Sequence, residues 1–568
     1  MTISTLILFF IFSLIILFST IGYGLLTVKL LRSEKLNFNY GLIGILGLFS
    51  LSIISSYTHL LFSHNYIHNL TIILLGLLCL AILNKNFFKE TKYTFIIFIF
   101  LFISILMAKT NEDFGYYHLP NSLQFAEQKL QFGLGNLNHG FKHISSLFMI
   151  MSLNYLPLFN FYLFNLTNLL FLTFFITFLL FEIYFKNKKN LNLSNILLSF
   201  LLILFLTKFA RLAEFGSDLS GQIIISMFIF YLLEFFYNEK ISQVEKIYYL
   251  KISLILITFA VTLKFISVIY SSFYLMFFLV VKNKNFFFLN LIKSNFLIFI
   301  FAPLAIFIFL NFSATGCLIY PVKTLCFSEK FDWAVSSDVI SYLNFYYELW
   351  AKGGAGPNIS VENSEDYIKN INWLPHWFSV YFIGKFSDFL LVAIFLILVF
   401  SSFYIKNIFS KKKIFKDVPR IKIFYLHLLL IFFLWFFNFP TLRYAGYVVV
   451  FLIIIYPFSV FAAKKIDFSV KENVKKLTII FIISYSVFLI KNVTRINNEL
   501  SISKNHHNNF ANFPLFWIKD QKYEPIMIDG HKVNLTKGAC WGIPSTCVKG
   551  SSYLKIKKKN NYIFYIKK

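Results

Sequence analysis

The chain has 568 residues, of which 58% are apolar, 20% aromatic and only 14% charged, and its formal net charge is +27. Soluble domains carry roughly 25% charged residues, so this composition excludes an ordinary soluble domain. The basic excess does not point to nucleic acid either, because Lys and Arg sit in short clusters between apolar runs instead of on one face beside reading motifs.

The apolar residues are gathered into runs, and a span needs about 20 of them to cross about 30 Å of hydrocarbon. No Lys or Arg precedes residue 29 and no small-residue cleavage site is evident, so the first run reads as a retained span, not a signal peptide. The predicted spans are 5–28, 40–61, 66–83, 93–108, 161–185, 193–207, 219–237, 247–263, 265–281, 291–310, 386–405, 423–438, 442–463 and 477–491. The fold class expected is thus an all-α polytopic membrane protein of about 14 transmembrane helices with a small β-containing tail.

Basic clusters mark cytoplasmic loops. The strongest are Lys29/Arg32/Lys35, Lys85/Lys89/Lys92, Lys186/Lys188/Lys189, Lys406 to Lys422 and Lys464 to Lys476. Placing them inside puts both termini outside, leaving a membrane body at 1–491, outer loops at 109–160 and 311–385, and a polar tail at 492–568. One apolar stretch, 144–158, must then stay out of the bilayer. Upstream of it, Leu119, Leu123, Ala126 and Leu130 repeat at helical spacing opposite Gln124, Glu127, Gln128 and Gln131, so 119–158 reads as two interfacial helices. Residues 334–351 of the second loop read as helix up to Gly353. In the tail, alternation around Asp529-Gly530, and again around the turn between Tyr553–Ile556 and Tyr562–Ile566, predicts hairpins.

Cys79 falls in a span, whereas Cys317, Cys326, Cys540 and Cys547 fall in segments assigned to the outside. Two local disulfides are expected there, although four cysteines allow three pairings.

Chemistry-bearing residues gather near the same face. Glu112 and Asp113 follow the fourth predicted span, where a carboxylate can accept a proton from a hydroxyl or hold a divalent cation beside a phosphate. Arg211, Glu214 and Asp218 share a short loop, in which Asp218 or Ser217 could equally cap the next helix. Lys264 stands between two apolar stretches and Arg443 opens the 442–463 span. Such cations either snorkel to the interface or hold a lipid phosphate, for which Arg is geometrically suited. His118, His139 and His143 lie in or after the first acidic loop without metal-ligand spacing.

An acidic motif after a core helix, then two interfacial helices, then a second core helix resembles the GT-C superfamily of polytopic glycosyltransferases. Here Glu112-Asp113, the segment 119–158 and the span 161–185 follow that order. The chain is also similar to a group of uncharacterised bacterial membrane proteins with GT-C-like cores. Five pieces carry that likeness: Asp113-Phe-Gly-Tyr-Tyr-His-Leu-Pro120, Glu214-Phe-Gly-Ser-Asp218, Thr315-Gly-Cys-Leu-Ile-Tyr-Pro321, Trp373-Leu-Pro-His-Trp377 and Cys540-Trp-Gly-Ile-Pro-Ser-Thr-Cys547. The departure is that three predicted spans precede the helix carrying the acidic pair, where many GT-C enzymes start with that helix.

The resemblance implies an inner-membrane enzyme of a bacterium that transfers a sugar from a polyprenyl-phosphate donor, at the periplasmic face, to a glycan, lipid or protein. Asp113 would be the catalytic base, with Glu112 second. Asp218 or Glu214 would be a second acid or a ligand for Mg or Mn, and Arg443, Lys264, Arg211 and His118 would hold the lipid phosphate. Two alternatives remain open at this point. An O-antigen-type polymerase or ligase would lean on Arg and His in the loops. A lipid or polysaccharide transporter would place polar groups at the membrane midplane, whereas Glu182 and Glu234 sit near span ends.

Overall fold

The structure is a computed structural model that describes residues 3–31, 39–84, 87–107, 110–186, 193–212, 216–238, 241–292, 295–356, 359–409, 420–466, 471–506, 518–550 and 554–567. Glu214 and parts of the basic clusters lie outside the described residues.

The chain opens with α1 (Ile3–Leu30), α2 (Tyr40–Thr58) and α3 (Tyr66–Leu83), which pack on one another. Their contact is as close as backbone allows. A Cβ on Gly22 would lie 1.9 Å from the Gly76 carbonyl oxygen, and one on Gly47 would lie 2.0 Å from that of Thr20. Small residues at these crossings let polar groups reach across, as apolar helices without a water-driven force between them require. Ser19 accordingly donates to the Ile73 carbonyl at 3.0 Å and Tyr23 to that of Ile72 at 2.7 Å. Next come α4 (Phe87–Leu101), the short α5 (Leu119–Glu127) and α6 (Ser146–Ser152), and then α7 (Leu166–Phe181), α8 (Leu193–Lys208), α9 (Ser217–Tyr237) and α10 (Gln243–Leu263). Helix α7 is apolar nearly all round, and with α9, which is buried along nearly its whole length, it forms the centre of the body.

After a 3₁₀ stretch at Phe265–Tyr274 come α11 (Leu275–Val280), α12 (Lys284–Ile292) and α13 (Ile298–Thr315). The following loop holds α14 (Ser337–Ala351), a two-residue hairpin of β1 (Ala355–Gly356) and β2 (Ile359–Ser360), α15 (Ser364–Ile368) and α16 (Leu374–Trp377). The body ends with α17 (Ser387–Phe403), α18 (Ile405–Ile408), α19 (Arg420–Asn438), α20 (Tyr447–Lys465) and α21 (Lys471–His506). Exposed Leu, Ile and Phe on α3, α17 and α19 form an apolar outer surface suited to lipid.

Among the described residues, eleven helices are long and apolar enough to cross a membrane, the pattern of a multi-pass membrane protein. Three of the fourteen expected spans are shorter apolar helices, at Thr91–Ile105, Leu193–Lys208 and Phe265–Val280. A 16-residue helix such as α8 rises only about 24 Å, less than the hydrocarbon thickness. The expected end at 491 also moves, because α21 runs on to His506. Lys491 donates to the Thr207 carbonyl at 2.6 Å from the exposed face of the helix, and the buried Arg495 donates to the carbonyls of Leu106 and Met107.

The 119–158 segment differs from expectation in its surroundings. It holds α5 and α6, but nearly every residue of both is buried, including Gln124. The tail covers it. In the tail, β3 (Glu524–Ile528), β4 (His531–Thr536) and β5 (Cys547–Lys549) form one sheet, and β6 (Leu554–Lys559) with β7 (Tyr562–Lys567) forms a hairpin. The first turn is at Asp529-Gly530 and the last at Asn560-Asn561, both with positive φ. Phe132 exchanges backbone hydrogen bonds with β7, Tyr565 donates to Gln131 at 3.1 Å, and Ser545 N–H donates to the Glu127 carboxylate at 2.6 Å. Cys317 is bonded to Cys326 and Cys540 to Cys547, while Cys79 is free.

Candidate functional site

A cavity of about 870 Å³ lies between the helical body and the tail. Its lining draws on the segments quoted above that lie far apart in sequence: Asp113, Tyr116 and Tyr117; Ser217; Ile319 and Tyr320; and Trp541.

Asp113 immediately precedes a wide π-turn at Phe114–His118, an irregularity frequent at functional sites. Arg443 comes from a kinked turn, Leu442–Gly446, in which Ala445 is buried at φ +61°. A non-glycine residue held there costs about 1–2 kcal/mol and persists only when its surroundings enforce it. Tyr270 donates to the Ala445 carbonyl at 2.6 Å, and the Trp435 ring fills the space where a Cβ of Gly446 would stand.

The two turns bring four charged residues together. Arg443 Nη2 donates to Asp113 at 2.5 Å and its Nε donates to Asp218 at 2.8 Å. Lys264 pairs with the other oxygen of Asp218 and donates to the Arg443 carbonyl at 3.0 Å. The chain of charges therefore runs Asp113–Arg443–Asp218–Lys264. Its two acids are not equivalent. Asp218 is 3% exposed and faces two cations, whereas Asp113 is 31% exposed and lines the cavity. Burial alone would raise the Asp113 carboxyl, but the charges of Arg443 and Lys264 outweigh it and hold the group below its ordinary value.

The expected site residues that the structure describes fall into distinct places. Asp113, Glu112, Arg443 and Lys264 line one cavity. Asp218 is brought to the same cluster but as a buried bridge between cations. It does not cap α9, whose N-cap is Gly216, without a side-chain bond. His118 stands behind the site: a Cβ on Gly216 would lie 2.2 Å from its ring, and burial holds it neutral with a pKa of about 3. It is not among the residues lining the cavity, and neither is the exposed Arg211. The oxygens of Asp113 and Asp218 nearest the cluster face Arg443 and Lys264, and among the described residues no set of three His, Cys, Asp or Glu is arranged to hold a metal ion.

The remaining wall is aromatic and was not foreseen. Tyr116, Tyr117, Tyr320, Tyr347, Trp350, Tyr444 and Trp541 line it. Tyr347 O–H sits 3.0 Å from His139 Nε2 and 3.1 Å from His143 Nε2. Trp541 is laid over the acidic loop, with its backbone N–H donating to the Gly115 carbonyl at 2.8 Å and its ring where a Gly115 Cβ would be. Trp541 and Tyr320 belong to quoted segments, so the sequence held a sign of them. Arg495 carried no such sign, yet it ties the carbonyls of Ile103, Leu106 and Met107 just before the acidic pair. Trp377 in α16 donates to the Pro440 carbonyl at 3.1 Å and so steadies the approach to Arg443.

A family model, described as a domain of unknown function (DUF8201), matches residues 6–451. No curated protein and no solved structure matches the chain. The chain belongs to the DUF8201 family.

Proposed function

We propose that this DUF8201 protein is a membrane glycosyltransferase with a GT-C-like core, taking a sugar from a polyprenyl-phosphate donor to a hydroxyl of a cell-envelope glycan, lipid or protein. The observation that carries the reading is the charge chain Asp113–Arg443–Asp218–Lys264 on the wall of an aromatic-lined cavity. In the same reading the three shorter helices complete a set of 14 spans and the cavity faces the periplasm of a bacterial inner membrane.

The chemistry asks for one acid and one anion site. The acceptor hydroxyl gives its proton to Asp113 as its oxygen attacks the anomeric carbon, and the bond to the phosphate oxygen breaks. The polyprenyl phosphate leaves with that electron pair, and its charge is met by Arg443, assisted by Lys264. Arg443 also regulates the base. While it holds only Asp113 and Asp218, it lowers the basicity of Asp113. A donor phosphate that shares the guanidinium weakens this hold, so Asp113 gains basicity when the donor is bound. The tyrosine and tryptophan faces suit the C–H faces of a sugar ring, with their polar edges left for its hydroxyls. Glu112, exposed at the cavity, is the second candidate for the base.

The test is replacement of the chromosomal copy by Asp113→Asn in a strain whose glycan profile depends on this protein. Loss of the glycan at normal protein level is expected, and an unchanged glycan overturns the role of Asp113. The pairing of His139 and His143 through Tyr347 in the same cavity favours, as a second reading, a polymerase or ligase that works through Arg and His. In that case Arg443→Ala abolishes the product while Asp113→Asn spares it.

A further inference from the structure

One buried cation in the cavity has no use in the transfer just described. Lys142 ends the 3₁₀ turn His139–Lys142, is 8% exposed and lines the cavity. Its stem packs against Gly135. Among the described residues it makes no hydrogen bond and no ion pair, unlike Lys264 and Lys352, which each meet a carboxylate.

The charges acting on this corner are mostly of one sign. Burial and Lys567 both push the Lys142 ammonium down, to about 8. Lys142 and Lys549 in turn act on His139, and Lys142 and Lys264 on His143, where Asp113 acts in the opposite sense. His139 and His143 are neutral, held by burial at about 3 and about 4. A buried ammonium without a counter-charge is expensive to keep. Among the described residues no ion pair offsets it, and Lys142 lies on the wall of the cavity.

We propose that Lys142 marks a second anion subsite in this cavity, which takes a carboxylate or phosphate group on the ligand, with a neutral imidazole N–H of the His139–His143 pair beside it. Combined with the proposed transfer, on which this extension rests, the subsite makes the acceptor an acidic one: a uronic acid or a phosphorylated sugar in preference to a neutral hexose. Arg443 serves the donor and Lys142 the acceptor, so the two anions do not compete.

The experiment uses purified full-length protein in lipid nanodiscs, with Trp541 and Trp350 in the cavity wall as fluorescent reporters. The probes are glucose, glucuronate and glucose 6-phosphate at pH 7. Wild type is expected to bind one or both anionic probes about tenfold more tightly than glucose, the worth of one charge-assisted hydrogen bond. The carboxylate and phosphate arms tell the two sources apart. Lys142→Gln should lose the preference and Lys142→Arg should keep it. Lys142→Met should also melt higher than wild type without ligand, because it removes an uncompensated buried charge. Equal binding of all three probes by wild type, or an undiminished preference in Lys142→Gln, overturns the subsite. So does a lower melting temperature for Lys142→Met, which would mean that Lys142 supports the fold. These readings need no turnover. Failure of sugar transfer with the preference intact therefore removes the proposed reaction and leaves the subsite standing.

Discussion

Asp218 and Asp113 share Arg443, and replacing each by Asn should have opposite consequences. Asp218 is 3% exposed and is the carboxylate partner of both Lys264 and Arg443. Asp218→Asn keeps the shape and removes the charge, so Lys264 is left with the Arg443 carbonyl at 3.0 Å and the face of the Tyr444 ring, and with no carboxylate paired to it. Removing one partner of a buried pair costs about 3–5 kcal/mol, because the other charge is left uncompensated. Asp113 and Arg443 are 31% and 32% exposed, and Arg443 keeps Asp218 when Asp113 is neutralised. Asp113→Asn should thus cost about 1 kcal/mol or less, as for partly exposed pairs. Denaturant unfolding of the purified variants in mixed micelles measures the difference, followed by donor turnover on the same samples. The expected outcome is a destabilised Asp218→Asn, partly rescued by adding Lys264→Met, and a well-folded but inactive Asp113→Asn. An Asp113→Asn protein as unstable as Asp218→Asn, or an Asp218→Asn protein as stable as wild type, refutes the division of roles.

Because Arg443 holds the folded Asp113 carboxyl below its ordinary value of about 3.9, the pair's stabilisation is present above that value. It is lost as pH falls through the lower folded value. Acid titration of stability should therefore separate wild type from Asp113→Asn at higher pH and merge them at the acid end; curves that merge instead above pH 5 contradict the pairing. Lys142, pushed down to about 8, is charged below that pH and neutral above it. The preference for anionic probes should fade as pH rises through about 8, and an unchanged preference at pH 9.5 would assign it to another cation. Gly115→Ala places a Cβ 2.1 Å from the Trp541 ring. It should loosen the tail over the cavity, read as faster proteolysis between residues 518 and 550, with no change in the helical signal; protection equal to wild type speaks against Trp541 as the fastener.

The parts of the fold legible in sequence were those set by local physics. Apolar runs located the helices, and the Asp529-Gly530 and Asn560-Asn561 turns located the two tail hairpins. The run at 193–207 was legible to within a residue of Leu193–Lys208, but hydropathy does not say whether a helix that rises only about 24 Å crosses the bilayer. Charge misled at Lys491 and Arg495, which read as the end of a span although the helix runs on: Lys491 bonds the Thr207 carbonyl at the helix surface and the buried Arg495 bonds that of Leu106. The glutamines of 119–131 read as a solvated face because nothing local reveals that Tyr565 and Ser545 come from more than 400 residues away to cover this segment. In the site, residue type was enough to nominate Asp113, Arg443, Lys264 and Asp218. Only the fold shows that Asp218 is enclosed between cations while Asp113 meets the cavity. His118 shares a quoted segment with Asp113, yet the close approach of Gly216 seals it behind the wall.

The most direct measurement places purified protein in proteoliposomes with a radiolabelled polyprenyl-phosphate hexose and follows release of the sugar from the lipid, with and without a uronic-acid acceptor. Wild type should cleave the donor and transfer the label, and Asp113→Asn and Arg443→Gln should each abolish transfer while remaining folded. Transfer that persists in Asp113→Asn, or movement of intact donor across the bilayer without cleavage by wild type, would contradict the account.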